Sequence, residues 1–449
     1  MPDKSEHVAI VGAGLVGSLL SIYLAKRGYL VSVFERRADL RKEKSDAGRS
    51  INLALSARGI LALEELGLAA NLKKEAVPMH GRMMHNTQGG LSFLPYGMQG
   101  QFINSISRSG LTMVLMNEAE KRGVKYYFDH RCLTVDLNKT EITVQTAATV
   151  QNIITSTHSF DLIIGTDGAF SAVRGALQLT DRFNFLQEYI DHGYKELHIP
   201  PGPAGEFQLE KNALHIWPRE SFMMIALPNP DGSFTCTLFF PWEGTPSFQS
   251  LTSSESVTEF FTKTFPDAIR LMPSYLDDFT SKPASSLVSV KCWPWVKNKT
   301  LILGDAAHAI LPFYGQGMNA GFEDCRILNH LLDQHKDTLD PALSEFQKLR
   351  KPDTDAIAQL AEDNFVEMRD LVADAEFLLR KKIEAKLHAL YPEKWIPLYS
   401  MVTFYDQVRY SEAYAIGCRQ KEIMDNVMKA PDINTNWELL DFKEIASQL

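Results

Sequence analysis

From Val8 to Ala25 the chain runs eighteen residues, VAIVGAGLVGSLLSIYLA, without a charged side chain. An apolar run of that length suits a membrane helix, a secretion signal or the start of a buried strand-turn-helix. The pattern within it separates the three. HVAIV reads as a short buried strand, LVGSLLSIYLAKRG as a helix stopped by Lys26-Arg27-Gly28, and YLVSVFE as a second strand closing on Glu35. The leading MPDKSEH mixes charges where a signal would be basic, and three glycines break what would be the signal's apolar middle. The pattern predicts strand, turn, helix and strand.

Gly12, Gly14 and Gly17 give the turn the spacing GxGxxG, and Glu35 follows Gly17 by 18 residues. Each position has a physical duty in a dinucleotide fold. Gly12 permits the tight turn, Gly14 removes a side chain from the path of a pyrophosphate, and Gly17 lets helix and strand pack closely. The helix N-terminus then faces the phosphates, and Glu35 can accept from ribose hydroxyls.

Two more glycine-rich units follow. FDLIIGTDGAFSAVR sets a strand against Asp167-Gly168, with Arg174 beyond. In LILGDAAHAILPFYGQGMNAGFED a strand leads to Gly304-Asp305, and Gly315-Gln316-Gly317-Met318-Asn319 opens another helix. Asp305 suits a polyol hydroxyl, and the helix after Gly317 favours an electron-rich ring edge. His308 reads as a packing residue between strand and helix. Singly, each unit is an ordinary turn built on Gly and Asp. In order behind GxGxxG, they point to one cofactor. From Asp353 to Leu390 the pattern turns helical, with Ile357, Leu360, Phe365, Met368, Leu371, Phe377 and Ile383 spaced mostly at threes and fours.

Composition then narrows the picture. At 449 residues the chain exceeds the usual single core, while 45% apolar and 22% charged residues describe a folded globular protein. A formal net charge of -9 argues against nucleic-acid binding, and Arg380-Lys381-Lys382 reads as a solvated helix face. Five scattered cysteines, with no CxxC pair, indicate neither a disulfide framework nor a zinc site and fit a reducing compartment. No GxSxG elbow is present.

GAGLVG, TDGAFSAVR and LGDAAHAILPFYGQGMNAGFED resemble the three signatures of the FAD-dependent aromatic hydroxylases, the class A flavoprotein monooxygenases. GRSINLALSARG, GRMMH, LPYG, SISR, DNFVEMRD and WIPLYSMVTF narrow the resemblance, over nearly the whole chain to about Arg409, to the kynurenine-hydroxylating branch of that family. The resemblance implies an α/β, Rossmann-like FAD-binding fold with an inserted β-sheet substrate domain and a helical carboxy-terminal section. The expected divisions are 1–180 for the first part of the FAD domain, 181–295 for the sheet, 296–350 for the rest of the FAD domain, and 351–449 for helices capping the substrate site.

By the same resemblance, FAD is held by Gly12, Gly14, Val16, Gly17, Glu35, Arg36, Arg37, Ala54, Arg108, Leu133, Asp167, Asp305, Gly317, Met318 and Asn319. NADPH is the co-substrate, with no separate nicotinamide domain. Dioxygen adds at the flavin C4a position as a hydroperoxide, and one oxygen passes to the ring carbon beside the aromatic amine of L-kynurenine, giving 3-hydroxykynurenine. That chemistry is the cofactor's and needs no protein nucleophile or metal. Kynurenine is a zwitterion with an aminophenyl ketone, so its pocket needs a cation, neutral hydrogen-bonding groups and apolar walls. The resemblance assigns the polar end to Arg82, Tyr96, Asn364 and Tyr399, and the ring-facing side to Pro312 and Phe313, with Tyr314 beside them. A planar Arg fork pairs bidentately with a carboxylate. A sibling hydroxylase for another aromatic amine or phenolic acid would share every flavin motif, and a flavin-binding protein without turnover would share the cofactor. Some relatives carry a hydrophobic carboxy-terminal anchor; the closing APDINTNWELLDFKEIASQL has no such run, which leads to the expectation of a cytosolic enzyme without a membrane anchor.

Overall fold

The computed structural model describes residues 6–42, 52–72, 75–97, 100–149, 152–367 and 375–449. Residues 48–51 of the GRSINLALSARG segment, 368–370 of DNFVEMRD, and Met368 and Leu371 of the helical pattern lie outside them. The chain divides into two units: Met1–Val77, Asn104–Ile190 and Ser286–Ala358 form the first, and Pro78–Ile103, Asp191–Ser285 and Gln359–Leu449 form the second.

The first unit is built on a parallel sheet whose strands lie in the order Thr300–Ile302, Leu162–Gly165, His7–Val11, Leu30–Phe34, Lys125–Tyr127, with the two-residue strand Val296–Lys297 antiparallel at one edge. His7–Val11 is almost wholly apolar and buried, as a strand covered on both faces must be. Helix Leu15–Arg27 follows it and ends where Gly28 takes a left-handed φ of +99°, the expected stop. The next strand pairs on one side of His7–Val11, and the chain later returns to pair on the other. This reversal puts a crevice at the carboxyl end of His7–Val11. Val8, Ile10, Leu19, Ile22, Val33, Ile163, Leu301 and Phe322 all belong to one continuous buried core.

In the second unit, the 191–199 part of strand Asn184–Ile199 is followed across the sheet by Phe234–Pro241, Phe222–Pro228, Ala213–Arg219, Gly81–His85 and Leu91–Pro95. Only the Ala213–Arg219 and Gly81–His85 pair among them is parallel. Helices Ser254–Thr264 and Tyr275–Ser281 supply Phe260, Phe261 and Phe279 to a core with Trp217, Phe234 and Phe240. A separate core joins Ile383, Leu387, Ile423, Met424 and Phe442 from the carboxy-terminal helices with Trp395 from a connecting segment.

The predicted helical pattern from Asp353 is only part of helix Leu339–Val366, which runs through Pro352. Proline lacks an N–H and reads as a helix break, and for that reason the sequence pattern starts too late. Helix Ala375–Leu390 carries the basic run on its surface, where Arg380 pairs with Asp425 at 2.6 Å and Lys381 with Glu384 at 3.4 Å.

Candidate functional site

At the end of strand His7–Val11, Gly12 takes φ +103°, and a Cβ there would stand 2.6 Å from the Thr166 carbonyl oxygen. Thr166 tightens the same corner by donating from Oγ1 to the Val11 and Gly12 carbonyls at 3.0 and 2.9 Å. Gly17 is needed for proximity: a Cβ would meet the Gly12 carbonyl oxygen at 2.0 Å and Thr166 Oγ1 at 2.5 Å. Gly14 differs from both, since a Cβ there would meet nothing within 4 Å. Packing of the protein alone does not require that glycine.

Helix Leu15–Arg27 begins at Gly14 with no side-chain cap and no acid in its first turn. Helix Gly317–Gln334 also lacks both, and a Cβ on Gly317 would again meet open space. Two positive helix ends in the same unit are therefore left for an electron-rich ligand. Glu35 sits beside the first of them, accepting from the Ala13 N–H at 2.9 Å and the Arg37 N–H at 3.0 Å, and each oxygen retains capacity for a hydroxyl. Asp305, the first residue of helix Asp305–His308, is exposed. Arg36, Arg37 and Arg108 are exposed, as is Leu133 on strand His130–Asp136.

Other residues on the expected cofactor side hold the protein together. Asp167 accepts from Ser171 Oγ at 2.5 Å and the Ala172 N–H at 2.7 Å, which caps helix Ala172–Gln178; burial pushes its carboxyl up. Val16 is a packing peg: a Cβ on Gly321 would come within 2.6 Å of it, and one on Gly304 within 3.1 Å. Asn319 donates to the Ala54 carbonyl at 2.8 Å and accepts from the Ser56 N–H at 3.0 Å, seating strand Asn52–Leu55 on the helix that also holds the buried Met318. Arg174 donates to the Ala306 carbonyl at 2.8 Å and the Ala169 carbonyl at 2.5 Å, tying the second glycine unit to the third.

Beneath the third unit lies a buried charge network that the sequence reading missed. Asp324 accepts from the Gly304 N–H at 3.2 Å, from His308 Nε2 at 2.5 Å and from Arg350 Nε at 2.8 Å. Glu323 pairs with Arg58 at 2.5 Å and with Arg350 at 2.7 Å. Burial would raise the Asp324 carboxyl, but His308 and Arg350 outweigh it and hold the group below the usual carboxylate range. The available signal was a pair of acids, Glu323-Asp324, embedded in an apolar helix. Its partner Arg350 lies 26 residues away, at no recognisable spacing.

In the second unit, Arg82 comes from strand Gly81–His85, Tyr96 follows strand Leu91–Pro95, and Tyr399 stands on helix Leu398–Phe404. The Tyr96 and Tyr399 rings stack with centroids 5.3 Å apart. The Arg82 guanidinium lies 5.6 Å from the first ring centre and 5.0 Å from the second. Burial raises both phenols, so each remains a neutral hydroxyl beside a permanent cation. Asn364 is buried on helix Leu339–Val366 in the same unit. Pro312 and Phe313, with Tyr314, form a 3-10 turn of the first unit; Pro312 is exposed and the two aromatics are buried.

The described residues contain no cluster of His, Cys, Asp or Glu able to hold a metal ion. What the first unit offers is a dinucleotide cradle, and residues 5–344 match the FAD binding domain family. The fold is shared with 2-methyl-3-hydroxypyridine-5-carboxylic acid oxygenase at a TM-score of 0.68 and 19% identity, covering 84% of this chain and 95% of that one. The class defined by the cradle and the family match is that of the FAD-binding proteins. Kynurenine 3-monooxygenase of Flavobacterium psychrophilum is 47% identical over all of this chain and 99% of its own length. The enzyme of that name from Sus scrofa is 45% identical over 95% of this chain and 89% of its own. The chain belongs to the kynurenine 3-monooxygenase family.

Proposed function

We propose that the chain hydroxylates L-kynurenine to 3-hydroxykynurenine, with FAD as bound cofactor and NADPH and dioxygen as co-substrates. The observation that carries the substrate assignment is the Arg82 guanidinium set against the stacked, neutral Tyr96 and Tyr399 phenols. A fixed cation with two uncharged hydroxyl donors suits one carboxylate and does not compete for the substrate's ammonium. Buried Asn364, in the same unit, would add an amide to the amino-acid end. The carboxy-terminal helices from 351 onward cap the substrate and exclude water, which FAD chemistry of this kind requires.

FAD would lie with its pyrophosphate on the Gly12–Gly17 loop and the amino end of helix Leu15–Arg27. Glu35 would accept from the ribose, with Arg36, Arg37 and Leu133 bordering the adenosine half. Asp305 would accept from the ribityl hydroxyls, and Gly317, Met318 and Asn319 would meet the flavin edge with Ala54 and Arg108 alongside. Asp167 and Val16 would border the cofactor from the loops they also hold in place. Held there, FAD would supply the hydride-accepting and dioxygen-activating chemistry that a ring hydroxylation with NADPH needs. The chain's own part is to bind, orient and keep water out. A cytosolic location fits the five free cysteines, and none of the described helices is long and apolar enough to cross a membrane.

Mass spectrometry of the product formed from kynurenine, NADPH and oxygen tests the reaction: one added oxygen on the ring supports it, whereas NADPH oxidation triggered by 4-hydroxybenzoate and not by kynurenine overturns it. Arg82→Ala is expected to weaken kynurenine binding by roughly 2 to 4 kcal/mol with FAD content unchanged. Loss of FAD, or normal kynurenine binding, contradicts the role given to Arg82.

A further inference from the structure

Three residues along the strand from Arg82, His85 opens a hydrogen-bonded chain. Its Nε2 lies 2.9 Å from His215 Nδ1, and its Nδ1 lies 2.7 Å from Asp267 Oδ2. His215 Nε2 reaches the Glu210 carbonyl at 2.8 Å, and Trp217 Nε1 donates to the same Asp267 oxygen at 2.9 Å. The His85 ring also stacks on Trp217 with centroids 4.0 Å apart. Both histidines and Trp217 are buried. Arg219 Nη1 donates to the His85 carbonyl at 3.0 Å, and its Nε holds the Thr264 carbonyl at 2.8 Å.

The directions of these bonds are forced. A carbonyl only accepts, so His215 donates from Nε2, and its Nδ1, bare in the neutral ring, accepts. Burial holds His215 at about 4, in keeping with a neutral ring. His85 must then donate from Nε2. Asp267 is held ionised at about 2, because hydrogen bonds from His85 and Trp217 outweigh the upward push of burial. The last link joins His85 Nδ1 to the Asp267 carboxylate at 2.7 Å. Hydrogen bonds set around a ring stack hold direction better than apolar contact does.

Strand Gly81–His85 needs such an anchor. It lies one place in from the sheet edge, and its outer neighbour, Leu91–Pro95, is exposed along its whole length. Successive strand residues face opposite sides, so His85 and Arg82 project from opposite faces. The chain fixes the strand from one face, while Arg82 lies on the other, beside the Tyr96 and Tyr399 rings.

We propose that His85, with Asp267, is a positioning residue for Arg82, setting the guanidinium against Tyr96 and Tyr399 for the substrate carboxylate; this rests on the reading of Arg82 above. The test is a double-mutant cycle on holoenzyme, with kynurenine affinity read from the perturbation of bound-flavin absorbance. His85→Phe keeps the stack and removes the hydrogen bonds. It is expected to weaken kynurenine about tenfold, with FAD content unchanged and kcat at saturation within about twofold, and to cost less than about twofold once Arg82 is already Ala. Asp267→Asn, which preserves shape, gives the same pattern where His85→Phe folds poorly. Full loss in both backgrounds, or no loss with Arg82 intact, overturns the inference alone. Normal binding by Arg82→Ala overturns the reading of Arg82 and this inference with it.

Discussion

The two units build their binding sides from different material. In the first, the groups that the proposed reading gives to FAD are mostly backbone, a left-handed turn at Gly12 and two glycine-opened helix ends, with Glu35 and Asp305 as side-chain acceptors. In the second, three side chains from separate segments, Arg82, Tyr96 and Tyr399, make the arrangement. Backbone groups recognise what every FAD presents, phosphates and hydroxyls. Side chains distinguish one aromatic acid from another, so on the proposed reading a change at Arg82, Tyr96 or Tyr399 alters the choice of substrate rather than the hold on FAD. The buried charges differ too: the first unit holds a multi-residue network around Asp324 and Arg350 under its cofactor loops, and the second a shorter chain behind one strand.

The contrast can be broken by measurement, and the largest effect is expected at Asp324. Asp324→Ala strips a buried partner from Arg350 and His308 and releases the Gly304 N–H; a loss of roughly 3 to 5 kcal/mol of stability should follow, read by urea denaturation, together with loss of FAD on gel filtration. An unchanged midpoint would mean the network does not support the cradle. Arg82→Ala comes next, with its effect confined to kynurenine affinity. Gly14→Ala should leave the apoprotein midpoint unchanged, because the added Cβ meets nothing, yet lower FAD affinity about tenfold by fluorescence titration, within the roughly 1 to 3 kcal/mol that overpacking costs. Equal FAD affinity there would separate that helix end from the pyrophosphate.

The smallest expected effect is one of pH. Asp267 has a folded value depressed to about 2, so its contribution is complete above the unfolded value of about 3.9 and is lost as pH falls toward 2. Stability of Asp267→Asn should therefore fall less steeply than that of the parent between about pH 4 and pH 2. Parallel acid limbs in the two proteins would remove the hydrogen-bonded Asp267 carboxylate from the account.

The cofactor side was largely legible in the sequence because its geometry is local. Strand, glycine turn and helix succeed one another within 21 residues from His7 to Arg27, and the glycines that a left-handed φ or a close approach demands are visible as residue types. Less legible was how each residue serves. Asp167, expected beside the cofactor, also caps its own helix, and Val16, expected at the phosphate loop, also fills the space beside Gly321. His308, read as packing, is bonded to Asp324. Pro352 hid the first half of a long helix.

Residue spacing settled on its own where the chain turns, which turns require glycine, and that a dinucleotide cradle stands near the start, since those constraints act between neighbours a few bonds apart. Tertiary structure alone decided that Tyr96 stacks on Tyr399 across some three hundred residues of chain, that Arg350 sits under the third glycine unit, and that His85 reaches Asp267. Those contacts depend on how sheets and helices pack, and a hydrogen bond or an ion pair between distant segments leaves no periodic trace in the order of the residues that make it.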